Sequence, residues 1–304
     1  MLLRVVRGVC SVFNSHRFYH KVGVIGVPFN KGQRKDGVQM GPSVIRESGL
    51  LTEFKELYPN IDIKDYGDVK YEIEQEIEVP NMRNWTHVAK CNEELSKHVY
   101  NIIQAQRVCL TLGGDHSIGL GTVHGHAKAC EPGKLAVLWI DAHADINTSR
   151  TSGTGNLHGM PVALLATEME DQWPSLPFLE WHTPLLSLNK IAYIGLRSVD
   201  LCEREVIEKF AVSAYDTKDI EQHGIHGIIT AALAKIDPDN NCSLHISFDI
   251  DSLDVLEAPS TGTPVRGGLT LREGMEIVEN ISATGRLQAI DLVEYAVRVF
   301  LAWI

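Results

Sequence analysis

From Lys21 onward, short apolar runs alternate with longer stretches in which apolar residues recur every three or four positions. The runs at 22–27, 61–64, 108–112, 135–140, 191–196, 243–248 and 287–293 predict strands. Several are apolar at consecutive positions, as strands covered on both faces require. Helical periodicity marks 92–103 and 270–281, the latter turning Met275, Ile277, Val278 and Ile281 inward. Gly41-Pro42 opens a helix, because proline lacks only an N–H that the first turn would leave unpaired anyway. Such repetition predicts one three-layer α/β domain over 21–304, a largely parallel sheet flanked by helices. Right-handed crossovers bring the carboxyl ends of parallel strands to one edge, where ligands bind in such sheets. Chemistry is therefore expected where a strand stops.

Three polar clusters follow predicted strands. Gly113-Gly114-Asp115-His116-Ser117 comes after 108–112, Asp141-Ala142-His143-Ala144-Asp145 after 135–140, and Asp249-Ile250-Asp251 after 243–248. In an extended chain, side chains at i, i+2 and i+4 share a face. Asp141, His143 and Asp145 then converge, as do Asp249 and Asp251. Gathered aspartates repel, and burying them together is costly without cations. Four such carboxylates match the charge of two divalent ions, and His116 and His143 add neutral nitrogen donors. Mixed oxygen and imidazole donors without thiolate favour Mn²⁺, since calcium prefers oxygen alone and structural zinc usually brings cysteine. Two metals about 3.5 to 4 Å apart can acidify a bridging water and aim the resulting hydroxide. No Gly-x-Ser-x-Gly elbow or Walker loop offers a competing chemistry.

The charge adds exclusions. With 28 basic and 39 acidic residues, the chain of 304 carries −11, which argues against a nucleic-acid-binding face. No apolar stretch reaches the roughly 18 to 20 residues that span a bilayer. The cysteines at 10, 91, 109, 130, 202 and 242 form no Cys-x-x-Cys pair, consistent with a reducing compartment. Before Asp36 there is no acidic residue, while Arg4, Arg7, Arg17 and Lys21 are basic. Residues 1–20, amphipathic and arginine-bearing, are expected to be a mitochondrial transit peptide.

Taken together, these motifs resemble the ureohydrolase family, specifically its arginases, from Lys21 to Glu294. The resemblance rests on the two clusters at 113–117 and 141–148, on Ser-Gly-Thr-Gly-Asn-Leu-His-Gly at 152–159, on Ser-Phe-Asp-Ile-Asp at 247–251 and on Thr-Gly-Thr-Pro-Val at 261–265. It implies two Mn²⁺ per chain and hydrolysis of L-arginine to L-ornithine and urea. His116, Asp141, His143, Asp145, Asp249 and Asp251 would be the metal ligands. His158 would protonate the departing amine, and Glu294 would orient the guanidinium. Asn147, Thr154 and Asn156 would address the α-carboxylate, Asp200 and Glu203 the α-ammonium, with Thr263 also at the substrate. Agmatine lacks that carboxylate, so the asparagine-bearing loop favours arginine. The basic leader resembles that of the mitochondrial, extrahepatic type.

The sequence departs from this pattern at three places. Thr154 stands where serine is usual, and Ser198 where aspartate is common. After Glu294 the family continues with Asn-Pro, a helix and a tail, but here an apolar run, 295–304, follows. Losing several hundred Å² of apolar cover at ~25 cal/mol per Å² would cost several kcal/mol. The resemblance implies a homotrimer, weakened by the missing tail. Two alternatives follow: a truncated, inactive isoform acting only through subunit contacts, or a ureohydrolase of another guanidino compound such as agmatine.

Overall fold

The computed structural model describes residues 21–296; the expected transit peptide at 1–20 and the terminal segment 297–304 lie outside the described residues. Eight strands are present among them: β1 (Lys21–Gly26), β2 (Asp62–Asp68), β3 (Val108–Leu112), β4 (Leu135–Ile140), β5 (Ile191–Leu196), β6 (Ser213–Asp216), β7 (Ser243–Asp249) and β8 (Leu287–Val293). They form one sheet in the order β2-β1-β3-β8-β7-β4-β5-β6, and every pair is parallel. The helices are α1 (Gly41–Glu47), α2 (Leu50–Leu57), α3 (Trp85–Gln104), α4 (Gly119–Ala129), α5 (Pro161–Leu165), α6 (Leu201–Lys209), α7 (Thr217–Ile236) and α8 (Leu271–Ala283).

Two apolar cores, one on each face of the sheet, make the three layers. Ile45 of α1, Phe54 of α2, Ile228 of α7 and Ile277 of α8 pack with Leu138, Ile246 and Ile290. Val88 and Leu95 of α3, Val123 of α4 and Val162 of α5 pack with Val137, Trp139 and Tyr193 from the opposite face. Helix α3 approaches α4 closely because glycines stand at Gly121 and Gly125, where a Cβ would meet the Asn92 and Ser96 carbonyls at 2.8 and 2.5 Å. Thr270 caps α8, accepting from Glu273 N–H while Glu273 Oε2 accepts from Thr270 N–H.

The buried strands fall where the apolar runs predict them, to within a residue or two. The sequence pattern did not mark β6, because its four residues, Ser-Ala-Tyr-Asp, lie half-buried or exposed at a sheet edge. Helix α3 begins seven residues before its apolar period is evident, at Trp85. Among the described residues no helix is long and apolar enough to cross a membrane.

Between α3 and α4, His124 Nδ1 bonds Ser96 Oγ (2.8 Å), and its ring lies 5.0 Å from that of His182. Burial, then His182 and Lys128, lowers His124 to about 3, and burial lowers His182 to about 4. Both titrate near 6.5 in an unfolded chain. Below that value the unfolded chain takes up protons that the folded one refuses, so stability falls as pH drops from 6.5 toward 4. The slope is about 1.4 kcal/mol per group per pH unit. A His124→Gln variant is expected to show a shallower loss over that window in urea melts; an unchanged slope would contradict the assignment.

Candidate metal and substrate site

All the expected site residues lie at the carboxyl edge of the sheet, after β3, β4, β5, β7 and β8. His116 follows β3 through Gly113-Gly114, where a Cβ on Gly114 would overlap the Phe29 backbone. Asp115 Oδ2 accepts from Gly32 N–H and its Oδ1 from Ser117 N–H, which fixes the turn. The six expected donors gather around two points. His116 Nδ1 lies 3.0 Å from Asp141 Oδ2, 3.1 Å from Asp145 Oδ2 and 3.2 Å from Asp249 Oδ2. His143 Nδ1 lies 3.4 Å from Asp141 Oδ1 and 3.2 Å from Asp251 Oδ2. Asp141 thus belongs to both groups, one oxygen to each.

The convergence has a different local cause from the extended alternation expected. The chain bends after Ile140, and Asp145 has a left-handed backbone (φ 51°). Asp249 closes β7, whereas Asp251 sits in the following 3-10 turn, its N–H donating to Asp249 Oδ1 (2.7 Å). These bends turn the carboxylates toward one another while backbone N–H groups hold them. His143 N–H donates to Asp141 Oδ1, Trp139 Nε1 to Asp141 Oδ2 and Thr263 Oγ1 to Asp251 Oδ2. The His116 ring stacks on Trp139 with centroids 4.1 Å apart.

The donor set fits a pair of cations. His116 Nδ1 is buried and has no aligned hydrogen-bond partner, although three carboxylate oxygens face it. Burial, then Asp251 and Asp141, pushes Asp249 well above the carboxylate range. Burial and then Asp141 raise Asp145 to about 6. Against the burial that would lower it, His143 is raised to about 12 by Asp141 and Asp251. So much mutual repulsion in a dry pocket is the condition that positive ions relieve.

Above the donors lies a cavity of about 410 Å³ lined by His143, Asp145, Asn147, Thr154, Asn156, His158, Ser198, Asp200, Glu203, Asp249 and Thr263, among others. Every expected substrate contact except Glu294 therefore lines it. Asn147 Nδ2 donates to Asp200 Oδ2 (3.0 Å), and Glu203 accepts from the N–H groups of Ile146 and Asp200, tying the β4 loop to the β5 loop. A larger hollow, lined by Gln33, Arg34 and residues 76–85, contains none of the expected donors.

Glu294 differs from the simplest expectation. It is fully buried, with a left-handed backbone (φ 62°), and both its oxygens are engaged. Oε1 accepts from His116 N–H (3.0 Å) and faces His158 Nδ1 (3.1 Å), and Oε2 accepts from Gln33 Nε2 (2.6 Å). It meets the cavity through His158 rather than by its own surface. Although burial opposes a charge there, Glu294 raises His158 to about 9.

Two supporting residues escaped the sequence reading. Gln33 lies in no motif, and only its hydrogen bond to Glu294 marks it. Arg197, just after β5, donates to five carbonyls: Gly195, Ser252, Asp251, Leu253 and Val265. One guanidinium thus clamps the loops carrying Asp251 and Thr263. Only its position beside Gly195 at a strand end could have hinted at this.

Comparison with known proteins gives the family. Residues 20–298 match the family described as the Arginase family. The chain is 43% identical to the hepatic arginase of Aquarana catesbeiana over 92% of this chain and 86% of that one. It is also 43% identical to human mitochondrial arginase-2, over 90% and 77%. Among solved structures, the Entamoeba histolytica arginase in complex with L-ornithine superposes with a TM-score of 0.81 at 30% identity, covering 91% of this chain and 92% of that one.

Proposed function

The chain belongs to the arginase family of hydrolases, and on that premise we propose that it hydrolyses L-arginine to L-ornithine and urea at a binuclear manganese centre. The observation that carries this reading is the gathering of six donors around two points, with Asp141 shared between them. His116, Asp141, Asp145 and Asp249 would hold one ion, and Asp141, His143 and Asp251 the other. When bound, two such ions supply the Lewis acidity that makes a water nucleophilic at neutral pH.

The protein's own residues do the rest. Asn147, Thr154 and Asn156 address the α-carboxylate, while Asp200 and Glu203 face the α-ammonium, with Thr263 also lining the cavity. The buried charge of Glu294 favours a guanidinium at the inner end of the cavity. Water adds to the guanidinium carbon and the bond to the ornithine Nδ breaks. His158, held by Glu294, delivers the proton to that nitrogen, which turns a poor leaving group into an amine. The L-ornithine in the Entamoeba histolytica complex is the product this reading requires.

Comparing urea release from arginine and agmatine in Mn²⁺ tests the assignment. The α-carboxylate contacts predict that arginine is favoured by about 10²-fold or more in kcat/KM, each polar contact contributing on the order of 1.5 to 3 kcal/mol. Faster turnover of agmatine would defeat it. The acid-free leader, with mitochondrial arginase-2 among the relatives, supports a mitochondrial location; a fluorescent reporter fused to residues 1–20 and remaining cytosolic would contradict that.

A further inference from the structure

The face of β7 that lies under α4 is polar where a central strand is usually apolar. Ser243, His245, Ser247 and Asp249 alternate on it, while Leu244, Ile246 and Phe248 fill the core on the other side. The first three of these polar side chains lead downward, away from the metal donors, through an unbroken hydrogen-bonded line. His116 Nε2 meets Ser247 Oγ (2.9 Å), and Ser247 Oγ donates to Asp291 Oδ2 (3.4 Å) on the paired position of β8. Thr122 Oγ1 (2.5 Å) and His245 Nε2 (2.9 Å) converge on that same oxygen. His245 Nδ1 then meets His126 Nδ1 (3.2 Å), and His126 Nε2 meets Ser243 Oγ (2.7 Å). Ser247, Asp291, His245 and His126 are all fully buried.

The donor directions in this line follow from one group. A carboxylate only accepts, so Thr122, Ser247 and His245 each point a proton at Asp291. With its hydrogen committed, Ser247 Oγ is an acceptor toward His116, which requires the proton of that ring on Nε2. In the neutral ring, the form that binds a metal ion, Nδ1 is then the lone pair, directed at the point that the three carboxylate oxygens also face. On the other branch, His245 carries its proton on Nε2 and accepts at Nδ1 from His126.

We propose that Asp291 and Ser247 are positioning residues that lock His116 in the tautomer able to bind a metal ion through Nδ1. Neither touches the cavity or the ion positions. The inference rests on the two-metal reading. It adds that the ion site of His116 is prepared from between the sheet and α4, whereas among the described residues no such line reaches His143.

Titrating Mn²⁺ into the metal-free protein, with free ion followed by electron paramagnetic resonance, tests this without reference to activity. Wild type is expected to take two ions. Ser247→Ala is expected to weaken one of them by about 10- to 100-fold, the scale on which outer hydrogen bonds tune metal affinity, and to leave the other within about threefold. Thr122→Val, which touches the same Asp291 oxygen but lies off the line to His116, is expected to leave both affinities within about threefold. If Ser247→Ala gives no cooperative melt in chelator, Ser247→Cys, a much weaker hydrogen-bonding group, carries the same expectation. Fewer than two ions in wild type would sink the two-metal reading itself. Two ions in wild type with both equally weakened, or neither, in the Ser247 variants would overturn the inference alone. An equal loss in Thr122→Val would reduce the effect to general packing.

Discussion

Replacing Asp141 with alanine is expected to lower urea release from arginine by roughly 10⁴-fold or more at saturating Mn²⁺, the scale on which loss of an integral catalytic group falls. Asp141 is the residue common to both donor groups, with Oδ2 beside His116 and Oδ1 beside His143. Its loss removes a ligand from each ion position at once. In chelator the same substitution should also cost the fold, because Asp141, held against burial below the usual carboxylate range by His116 and His143, accepts from Trp139 Nε1 and His143 N–H, and its loss leaves those donors unpaired. The metal-free variant is therefore expected to melt below metal-free wild type. Steady-state assays and paired melts read both effects. A variant within tenfold of wild-type activity would show that the site has been misassigned.

Chelation of wild type is expected to produce the largest stability change available to this protein. Two ions, each at about 1,000 times its dissociation constant, stabilise the folded state by about 4 kcal/mol apiece. At about 2 to 4 °C per kcal/mol for a domain of this size, the melting temperature should fall by about 15 to 30 °C. The prediction also bears on the truncated-isoform alternative. A chain that acted only through subunit contacts would show no cooperative transition that shifts with metal, and calorimetry with and without Mn²⁺ separates the two.

Much of this was legible because burial and chemistry coincide in a parallel sheet. Strands such as Leu135–Ile140 and Ile191–Leu196 are apolar throughout, so composition alone marks them. The same rule hides β6, whose edge position spares it from burial, whereas β7 is predicted at 243–248 despite the polar side chains that alternate under helix α4. The donors could be read from residue types at strand ends, since unneutralised carboxylates are not gathered there without cause. Their geometry could not be. The backbone bends after Ile140 and at Asp145, not an extended alternation, bring Asp141, His143 and Asp145 together. Residues that act through long-range hydrogen bonds left still weaker traces: Gln33 is 261 positions from Glu294, and Asp291 is 44 from Ser247. Such partnerships exist only once the sheet order is known.

The two-ion centre is the premise beneath the substrate, stability and tautomer predictions alike. Elemental analysis of the purified protein, dialysed after loading with manganese, measures it directly. Two manganese per chain is the expected result, while a chain that keeps full arginine hydrolysis with less than one would contradict the account.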